Sequence, residues 1–250
     1  MSDPTANERL DPQGAIGRQL VDILRKRIIE NAMAPGQRFS EAEISASFGV
    51  SRQPVREAFI KLSEEGLVQI RPQRGTFVCR ISLRAVEDAR FIREAIESDL
   101  VRVLAERPDK AGLNELRQQL EAQEALVHGQ DTQQERAEFL RLDNLFHRFL
   151  AEAAGREHLW QLLDGMKSQM DRVRYLTTQT MDIARLVGQH RAVVDAIEMG
   201  DASQAELAMR HHLRTILQDL DFHRARTPEL FESADINLQH MPRVRIDQGE

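Results

Sequence analysis

The chain has 250 residues, of which 34 are Lys or Arg and 40 are Asp or Glu, and its formal net charge is −6 at pH 7. This length can hold one small and one larger domain. Because no stretch approaches the ~20 apolar residues that span a bilayer, and the N-terminus has no apolar signal-peptide core, we expect no membrane association and no export. The single cysteine, Cys79, excludes an internal disulfide framework and favours the cytoplasm.

The basic charge is concentrated near the N-terminus. Residues 1–80 carry 12 basic and 10 acidic side chains, whereas residues 81–250 carry 22 and 30. A polyanion would therefore bind the first region, and the second region is a poor candidate for such a partner.

Two short helices are predicted in the first region. The order Ser40–Glu43 is typical of a capping box at a helix start. Gly49 favours a turn, and Ser51 is a good N-cap whose hydroxyl can accept a hydrogen bond from a first-turn amide. The second helix should run to about residue 65 and end at Gly66.

The second helix carries Arg52 and Arg56 one turn apart, away from its apolar stripe. Like charges repel, so the pair is favoured by an anion in front of it. A helix, a glycine turn and a helix with exposed arginines are typical of a helix-turn-helix. Two apolar runs around residues 71–75 then predict a β-hairpin wing with a basic tip. We predict that residues 14–80 bind double-stranded DNA through Ser51, Arg52, Gln53, Arg56, Arg71, Arg74 and Gly75.

From Ser82 onward the apolar residues recur at helical spacing. The predicted helices are 83–106, 110–128, 132–154, 156–177, 180–199 and 202–224. Gly or Pro marks four of the breaks between them. The sequence thus predicts a mainly α fold, in which a winged helix-turn-helix precedes an antiparallel six-helix bundle over residues 83–224. Residues 225–250 form a C-terminal tail.

Polar residues occupy core positions of the predicted bundle. Helix faces place His190 and His212 inward, and Asp143 and His147 lie one turn apart beside an apolar stripe. His211 lies on a more polar face. Imidazole and carboxylate ligands together favour zinc, nickel, iron or manganese, with zinc first, over calcium or magnesium. The alternative is a hydrogen-bonded polar core, because a single core histidine more often bonds to protein than to metal.

The segment "GQRFSEAEISASFGVSRQPVREAFIKLSEEGLV" resembles the N-terminal domain of the GntR family of bacterial transcription regulators, with a match from about Gly14 to Cys79. The resemblance implies that Arg52 and Arg56 contact the major groove and that Gly75 enters the minor groove. The family usually has arginine at the position of Ala42. One DNA contact is therefore expected to be missing here, and the preferred operator should differ.

Residues from about 85 to 222 resemble the all-helical effector domain of the FadR subfamily, on "LDNLFHRFL", "GQHRAVVDAIEMGD" and "AMRHHL". The resemblance implies metal ligands at the same four positions, Asp143, His147, His190 and His212. It departs from the pattern at Gln189, where glutamate is common, and this can alter what supports the ligands. The ligand set itself is unaffected.

The resemblance also implies an organic-acid or sugar-acid effector. A recurrent arginine and glutamate match Arg93 and Glu97, so Arg93 is the first candidate to hold a carboxylate. A plain salt bridge is the alternative role for Arg93. Arg174 and Tyr175 are weaker effector-binding candidates.

These features predict a homodimeric regulator in the bacterial cytoplasm, associated with the nucleoid when it is bound to a palindromic operator. We expect a repressor of an organic-acid or sugar-acid catabolic operon, released by a carboxylate at the metal site. One alternative is a metal-dependent enzyme with a DNA-targeting domain, which a turnover assay would reveal. Another is a constitutive architectural DNA-binding protein, which would leave four metal-type residues unexplained.

Overall fold

A computed structural model describes residues 10–180 and 182–233. Its first part consists of three helices and a small antiparallel sheet: α1 (Ile16–Ile29), β1 (Arg38–Phe39), α2 (Glu41–Phe48), α3 (Arg52–Glu64), β2 (Val68–Arg71) and β3 (Gly75–Val78). The strand order is β1-β3-β2. The predicted hairpin is β2 and β3, with Arg71 opposite Gly75. Strand β1 was not predicted, because two residues are too short to show alternation.

Helix ends in this part follow local chemistry. The hydroxyl of Ser40 accepts a hydrogen bond from the amide of Glu43 at 3.2 Å, and Gly49 ends α2 with φ +65°. Gly66 has φ +70° after the last turn of α3, as predicted. Ser51 does occupy the N-cap of α3. Its predicted hydroxyl bond was wrong, however, because the side chain makes no cap hydrogen bond to the described first turn.

The inner face of α3 fixes which of its residues meet solvent. Val55, Ala58, Phe59 and Leu62 are buried against α1 and the sheet. The rings of Phe39 and Phe59 meet edge to face at 5.0 Å. Burial of each large apolar side chain stabilises the fold by about 1.5–3 kcal/mol, so this face is held inward and the arginine face outward.

The second part of the described chain is helical. Its elements are α4 (Leu83–Glu106), α5 (Lys110–Val127), α6 (Gln133–Ala153), α7 (Glu157–Met166), α8 (Ser168–Thr177), α9 (Ile183–Glu198) and α10 (Ala202–Arg226). Helices α6, α9 and α10 enclose a core with α4 and α5. None of these helices, nor any other in residues 10–180 and 182–233, is long and apolar enough to cross a membrane.

The prediction of one helix over 156–177 was wrong, because the segment forms α7 and α8, which meet at Lys167. The amide of Lys167 bonds to the Leu163 carbonyl at 3.0 Å, and its carbonyl accepts from Asp171 at 2.8 Å. Its buried ammonium lies 2.6 Å from the Asp171 carboxylate and 3.2 Å from that of Asp164. Gly165, a weak helix former, precedes the junction by two residues. The bundle therefore contains seven helices in the described chain rather than six.

The predicted tail begins within the fold. Helix α10 continues to Arg226, and a 3-10 turn follows at Pro228–Leu230. Phe231 is buried beside Ile81, whose amide donates to the Leu230 carbonyl at 2.8 Å. The rest of the predicted tail, residues 234–250, lies outside the described residues.

Helix α8 also contacts the first part of the chain. The side-chain Nε2 of Gln169 donates to the Gly66 carbonyl at 2.7 Å, just after the end of α3. The hydroxyl of Ser168 donates to Glu65 at 3.2 Å, and Arg172 donates to the Cys79 carbonyl at 2.9 Å. The helical part therefore hydrogen-bonds directly to the end of α3.

Candidate DNA-binding surface and metal centre

The exposed face of α3 presents Ser51, Arg52, Gln53 and Arg56 to solvent. Arg56 forms a two-pronged ion pair with Glu41 of α2, with both N···O distances 3.0 Å. The pair lowers the pKa of the Glu41 carboxyl, chiefly because the Arg56 guanidinium hydrogen-bonds to the ionised form. An anion was expected in front of Arg52 and Arg56. For Arg56, the Glu41 carboxylate of the protein itself is that anion.

The wing tip carries the exposed side chains of Arg71 and Arg74. Gly75 has φ +106°, and a Cβ placed there would lie 2.8 Å from Nε of Arg38. The backbone angle favours glycine, and any larger residue would also have to displace the Arg38 side chain. Sequence reasoning missed Arg38, an exposed cation beside the tip, because β1 gave no strand signal.

Asp143, His147, His190 and His212 converge in the bundle, and all four are buried. Helix α6 supplies the first two, while α9 and α10 supply one histidine each. The Nε2 atom of His212 lies 3.1 Å from that of His147 and 3.2 Å from that of His190. Oxygens of Asp143 lie 3.5 Å from Nε2 of His190 and 3.8 Å from Nε2 of His147.

Each of the three imidazoles is held on its far side by a side-chain oxygen. Nδ1 of His147 lies 2.5 Å from Oε2 of Glu97. Nδ1 of His190 lies 2.6 Å from Oε1 of Gln123, and Nδ1 of His212 lies 3.1 Å from Oε1 of Gln189. An oxygen acceptor at Nδ1 retains a proton there and leaves the Nε2 lone pair directed into the centre.

The surroundings of Asp143, His190 and His212 favour the protonation states that bind a cation. Burial is the main cause that lowers the pKa of His190 to about 3 and the pKa of His212 well below its ordinary value. Neighbouring histidines add to the lowering, and Asp143 opposes it. Burial would raise the pKa of Asp143, but the Arg174 guanidinium and the three imidazoles outweigh it and hold that pKa well below its ordinary range. Near pH 7 the carboxylate is charged and these two imidazoles are neutral, as metal ligands must be.

The donor set fits a transition-metal ion. Ligand atoms bound tetrahedrally to zinc at 2.0–2.2 Å lie about 3.3–3.6 Å from one another. Four of the six separations, 3.1–3.8 Å, bracket that range, and all six are within 4.8 Å. Three imidazole nitrogens and one carboxylate suit zinc, nickel, iron or manganese rather than calcium or magnesium.

A cavity of about 60 Å³ adjoins this centre, and Arg93 and Arg174 lie on its wall with Asp143, His147 and His212. Arg93 is buried and donates from Nε to Oε1 of Glu97 at 2.5 Å. Arg174 donates to an oxygen of Asp143 and, at 3.1 Å, to Asn144. Arg93 therefore forms a salt bridge, as the alternative interpretation has it, and it also lies on the wall of the cavity.

The structure places Tyr175 elsewhere. Tyr175 lines a second cavity of about 410 Å³ between α1 and helices α6 and α8, with Arg25 and Lys26 on the opposite wall. Arg174 lines both cavities, whereas Tyr175 does not line the one beside the metal centre.

Sequence reasoning missed the partners of two histidines. Glu97 was noted only as a match to the subfamily pattern, yet it is fully buried and bonds to His147. Gln123 follows Leu116 and Leu120 on the buried stripe of α5. A glutamine at that helical spacing is a polar residue on an apolar face, so the signal for Gln123 was available.

Comparison with known proteins gives relatives along most of the chain. The chain is 37% identical over 217 residues to the HTH-type transcriptional repressor RspR of Escherichia coli strain K12, which covers 86% of this chain and 93% of the relative. It is 41% identical over 209 residues to an uncharacterized HTH-type transcriptional regulator of Streptomyces ambofaciens, covering 83% and 86%. A probable D-xylose utilization operon transcriptional repressor of Paenarthrobacter nicotinovorans is 29% identical over 202 residues, covering 81% and 87%.

Two solved structures share the fold. E. coli McbR/YncC superposes with a TM-score of 0.68 at 18% identity, covering 84% of this chain and 99% of that one. A GntR regulator from Rhodococcus sp. RHA1 gives 0.64 at 23% identity, covering 82% and 97%.

Two domain families match consecutive parts of the chain. Residues 16–78 match the bacterial regulatory proteins of the gntR family, and residues 88–215 match the FCD domain. The family and its named relatives are transcription regulators and not enzymes, so the metalloenzyme alternative is wrong. A winged helix-turn-helix followed by an FCD domain identifies the chain as a member of the FadR-type GntR family of bacterial transcription regulators.

Proposed function

We propose that the protein is a homodimeric, metal-containing repressor that leaves its palindromic operator when a small carboxylate or sugar-acid effector binds beside the metal. Residues 14–80 bind DNA and residues 83–224 bind metal and effector. The protein acts in the bacterial cytoplasm and joins the nucleoid on operator binding. Repression is supported by the relatives named as repressors, and a catabolic operon agrees with the relative named for D-xylose utilization.

The arrangement of Nε2 atoms carries the metal proposal. Three lone-pair nitrogens and one carboxylate meet in a buried site, while their Nδ1 atoms are engaged by Glu97, Gln123 and Gln189. Four electron-pair donors this close repel one another unless a cation lies between them. Zinc is the first choice because it accepts nitrogen and oxygen ligands in tetrahedral geometry, with nickel, iron or manganese as alternatives.

The charge beside this centre supports an anionic effector. The carboxylates of Glu97 and Asp143 balance the guanidinium groups of Arg93 and Arg174, so the charge of a divalent cation remains for the ligand. Guanidinium groups bind carboxylates with paired hydrogen bonds. Arg93 and Arg174 are the proposed effector contacts, and Tyr175 contributes only from the neighbouring cavity.

On the operator, Arg52, Gln53 and Arg56 read the major groove, with Ser51 at the start of the helix. The wing residues Arg71, Arg74 and Gly75 follow the adjacent backbone and minor groove. These assignments are supported by the exposed face of α3 and by the φ of Gly75. Two such domains are needed because one winged helix covers too few base pairs for high specificity.

A single set of titrations tests the regulatory proposal. An operator is selected from a random duplex library, and its binding is titrated with and without zinc and a panel of small hydroxy acids and sugar acids. We expect the active acid to weaken DNA binding, and the operator to weaken binding of that acid by the same factor. DNA affinity that no acid changes in the metal-loaded protein would contradict the proposal.

Arg93→Ala sharpens this test. The variant should keep DNA binding and lose the response to the acid. Arg90→Ala is a matched control, since Arg90 lies on the same helix and bonds to Glu87 and Glu94, away from the cavity. Calorimetry that finds the same acid affinity for Arg93→Ala and the wild type would return Arg93 to a purely structural role.

A further inference from the structure

Glu97 of α4 lies next to the four predicted ligands without being one of them. The side chain is fully buried. Its Oε2 atom lies 2.5 Å from Nδ1 of His147, and its Oε1 atom lies 2.5 Å from Nε of Arg93. One carboxylate therefore joins a predicted metal ligand to a predicted effector contact.

The three histidines differ in the group that holds them. His190 and His212 are held by the side-chain amides of Gln123 and Gln189, whereas His147 is held by a carboxylate. An amide can turn over and present its NH₂ group, which would force the proton onto Nε2 and block metal binding. An ionised carboxylate only accepts, so Glu97 admits a single arrangement of the His147 ring.

Glu97 stays ionised in the protein interior. Its two oxygens face Nε of Arg93 and Nδ1 of His147, each at 2.5 Å, and a guanidinium partner favours the ionised carboxylate. A charged acceptor forms a shorter and stronger hydrogen bond than a neutral one. It also makes the opposite ring nitrogen a better electron-pair donor, as carboxylate–histidine–metal arrangements do elsewhere.

We propose that Glu97 is the positioning residue of the metal centre, holding His147 with Nε2 free for the ion and holding Arg93 on the wall of the effector cavity. The inference rests on the proposed metal site and adds a residue outside the ligand set. It implies that the metal site and the carboxylate site share one supporting side chain, so a change at Glu97 weakens both.

Glu97→Gln tests the proposal, and Glu94→Gln is its matched control. Glu94 lies one turn earlier on α4, is also buried and bonds to Arg90, Arg210 and Arg214. Both variants thus lose one buried, arginine-bound carboxylate, but only Glu97 contacts a predicted ligand.

Zinc affinity is measured by competition with a chromophoric chelator on the full chain, and the visible spectrum of the Co²⁺-loaded protein is recorded. We expect Glu97→Gln to weaken zinc binding 10- to 100-fold and to alter the Co²⁺ bands, with Glu94→Gln like the wild type. Wild-type affinity in Glu97→Gln, or an equal loss in both variants, would overturn the proposal. A wild-type protein that takes up no metal would instead refute the proposed metal centre itself.

Gln189→Glu decides the matter if Glu97→Gln does not fold. This variant gives His212 the kind of acceptor that His147 already has, and it replaces the Nε2 donor of Gln189 to Thr215 at 3.0 Å with an oxygen to which the Thr215 hydroxyl must donate. If a carboxylate at Nδ1 strengthens a ligand here, zinc binding should tighten by about tenfold. Unchanged or weaker binding would count against the role assigned to Glu97.

Discussion

The candidate DNA-binding surface is exposed to solvent, whereas the candidate metal centre is buried. The Arg56 side chain is 59% exposed and bonds to Glu41, whereas the His190 side chain is fully buried, with Nδ1 bonded to Gln123 and Nε2 facing the other predicted ligands. Substitution of an exposed group removes an interaction with a partner. Substitution in the buried centre also removes contacts that hold four helices together.

The largest expected effect is loss of metal from the centre. His212→Ala should lose most of the bound metal and the stabilisation that comes with it, which is ~4 kcal/mol at a thousandfold excess of metal over Kd. His211→Ala is the matched control, because His211 is the adjacent residue and is exposed. Elemental analysis and melting temperatures with and without a chelator measure both effects.

The wild type should contain about one transition metal per chain. A protein that has no metal, takes none up on titration and still responds to its effector would reduce the four residues to a polar cluster.

On the exposed side, Arg52→Ala or Arg56→Ala should cost ~1–3 kcal/mol of specific DNA affinity if the residue contacts a base. Neither change should alter the unfolding free energy by more than about 0.5 kcal/mol, because both side chains lie outside the core. Gel-shift titration at fixed salt and urea denaturation give the two values. Operator affinity equal to that of the wild type in both variants would contradict the DNA-binding assignment.

Acid should destabilise the metal-free centre. His190 has an ordinary pKa of 6.5 and a folded-state pKa of about 3, so between these values the unfolded chain binds a proton that the folded chain excludes. The unfolding free energy should therefore fall as the pH falls through this window, by up to ~1.4 kcal/mol per pH unit from this group.

Urea denaturation of the chelator-treated protein from pH 7 to pH 4 measures this slope. His190→Asn should show a shallower one, since it lacks the titrating ring. Parallel slopes for the two proteins would exclude His190 as the source.

A smaller effect is expected at the ion pair on the DNA-binding surface. Glu41→Gln releases Arg56 and removes a negative charge from the face that meets phosphate, so operator affinity should rise, by up to ~1 kcal/mol. Glu43→Gln provides a control from the same exposed helix. An equal rise in both variants would indicate general charge reduction rather than release of Arg56.

The last prediction concerns the oligomeric state of the protein. We expect the helical domain to hold the dimer, so light scattering should show a dimer at micromolar concentration with and without DNA. Arg52→Ala should leave that mass unchanged. A monomer in both conditions would contradict the proposed symmetry.

The helical spacing of the residues was enough to predict a position correctly wherever only the face of a single helix had to be known. It placed His190 and His212 inward, and it placed Asp143 and His147 one turn apart, because each inference needs only 3.6-residue spacing. The pairing of Glu97 with His147 spans 50 residues and two helices, so no local pattern contains it.

Other features depend on contacts made only in the folded chain. The break at Lys167, whose ammonium pairs with Asp171 and with the exposed Asp164, lies two residues after Gly165, a signal that the prediction of one helix passed over. The pairing of Arg56 with Glu41 requires the packing of α2 against α3. The sequence correctly predicted that Arg56 is exposed, but it did not predict that Glu41 pairs with Arg56.

Helix α8 is ten residues long, about 15 Å from end to end. Near its start, the side chain of Gln169 hydrogen-bonds to the carbonyl of Gly66, just after the DNA-reading helix α3. In its final turn, Arg174 bonds to the carboxylate of Asp143. A helix of under three turns moves as a unit. In the proposed dimer, a ligand that drew Arg174 and α8 away from Asp143 would displace both ends of α8 together, and the spacing of the two DNA-reading helices would change without unfolding of either domain.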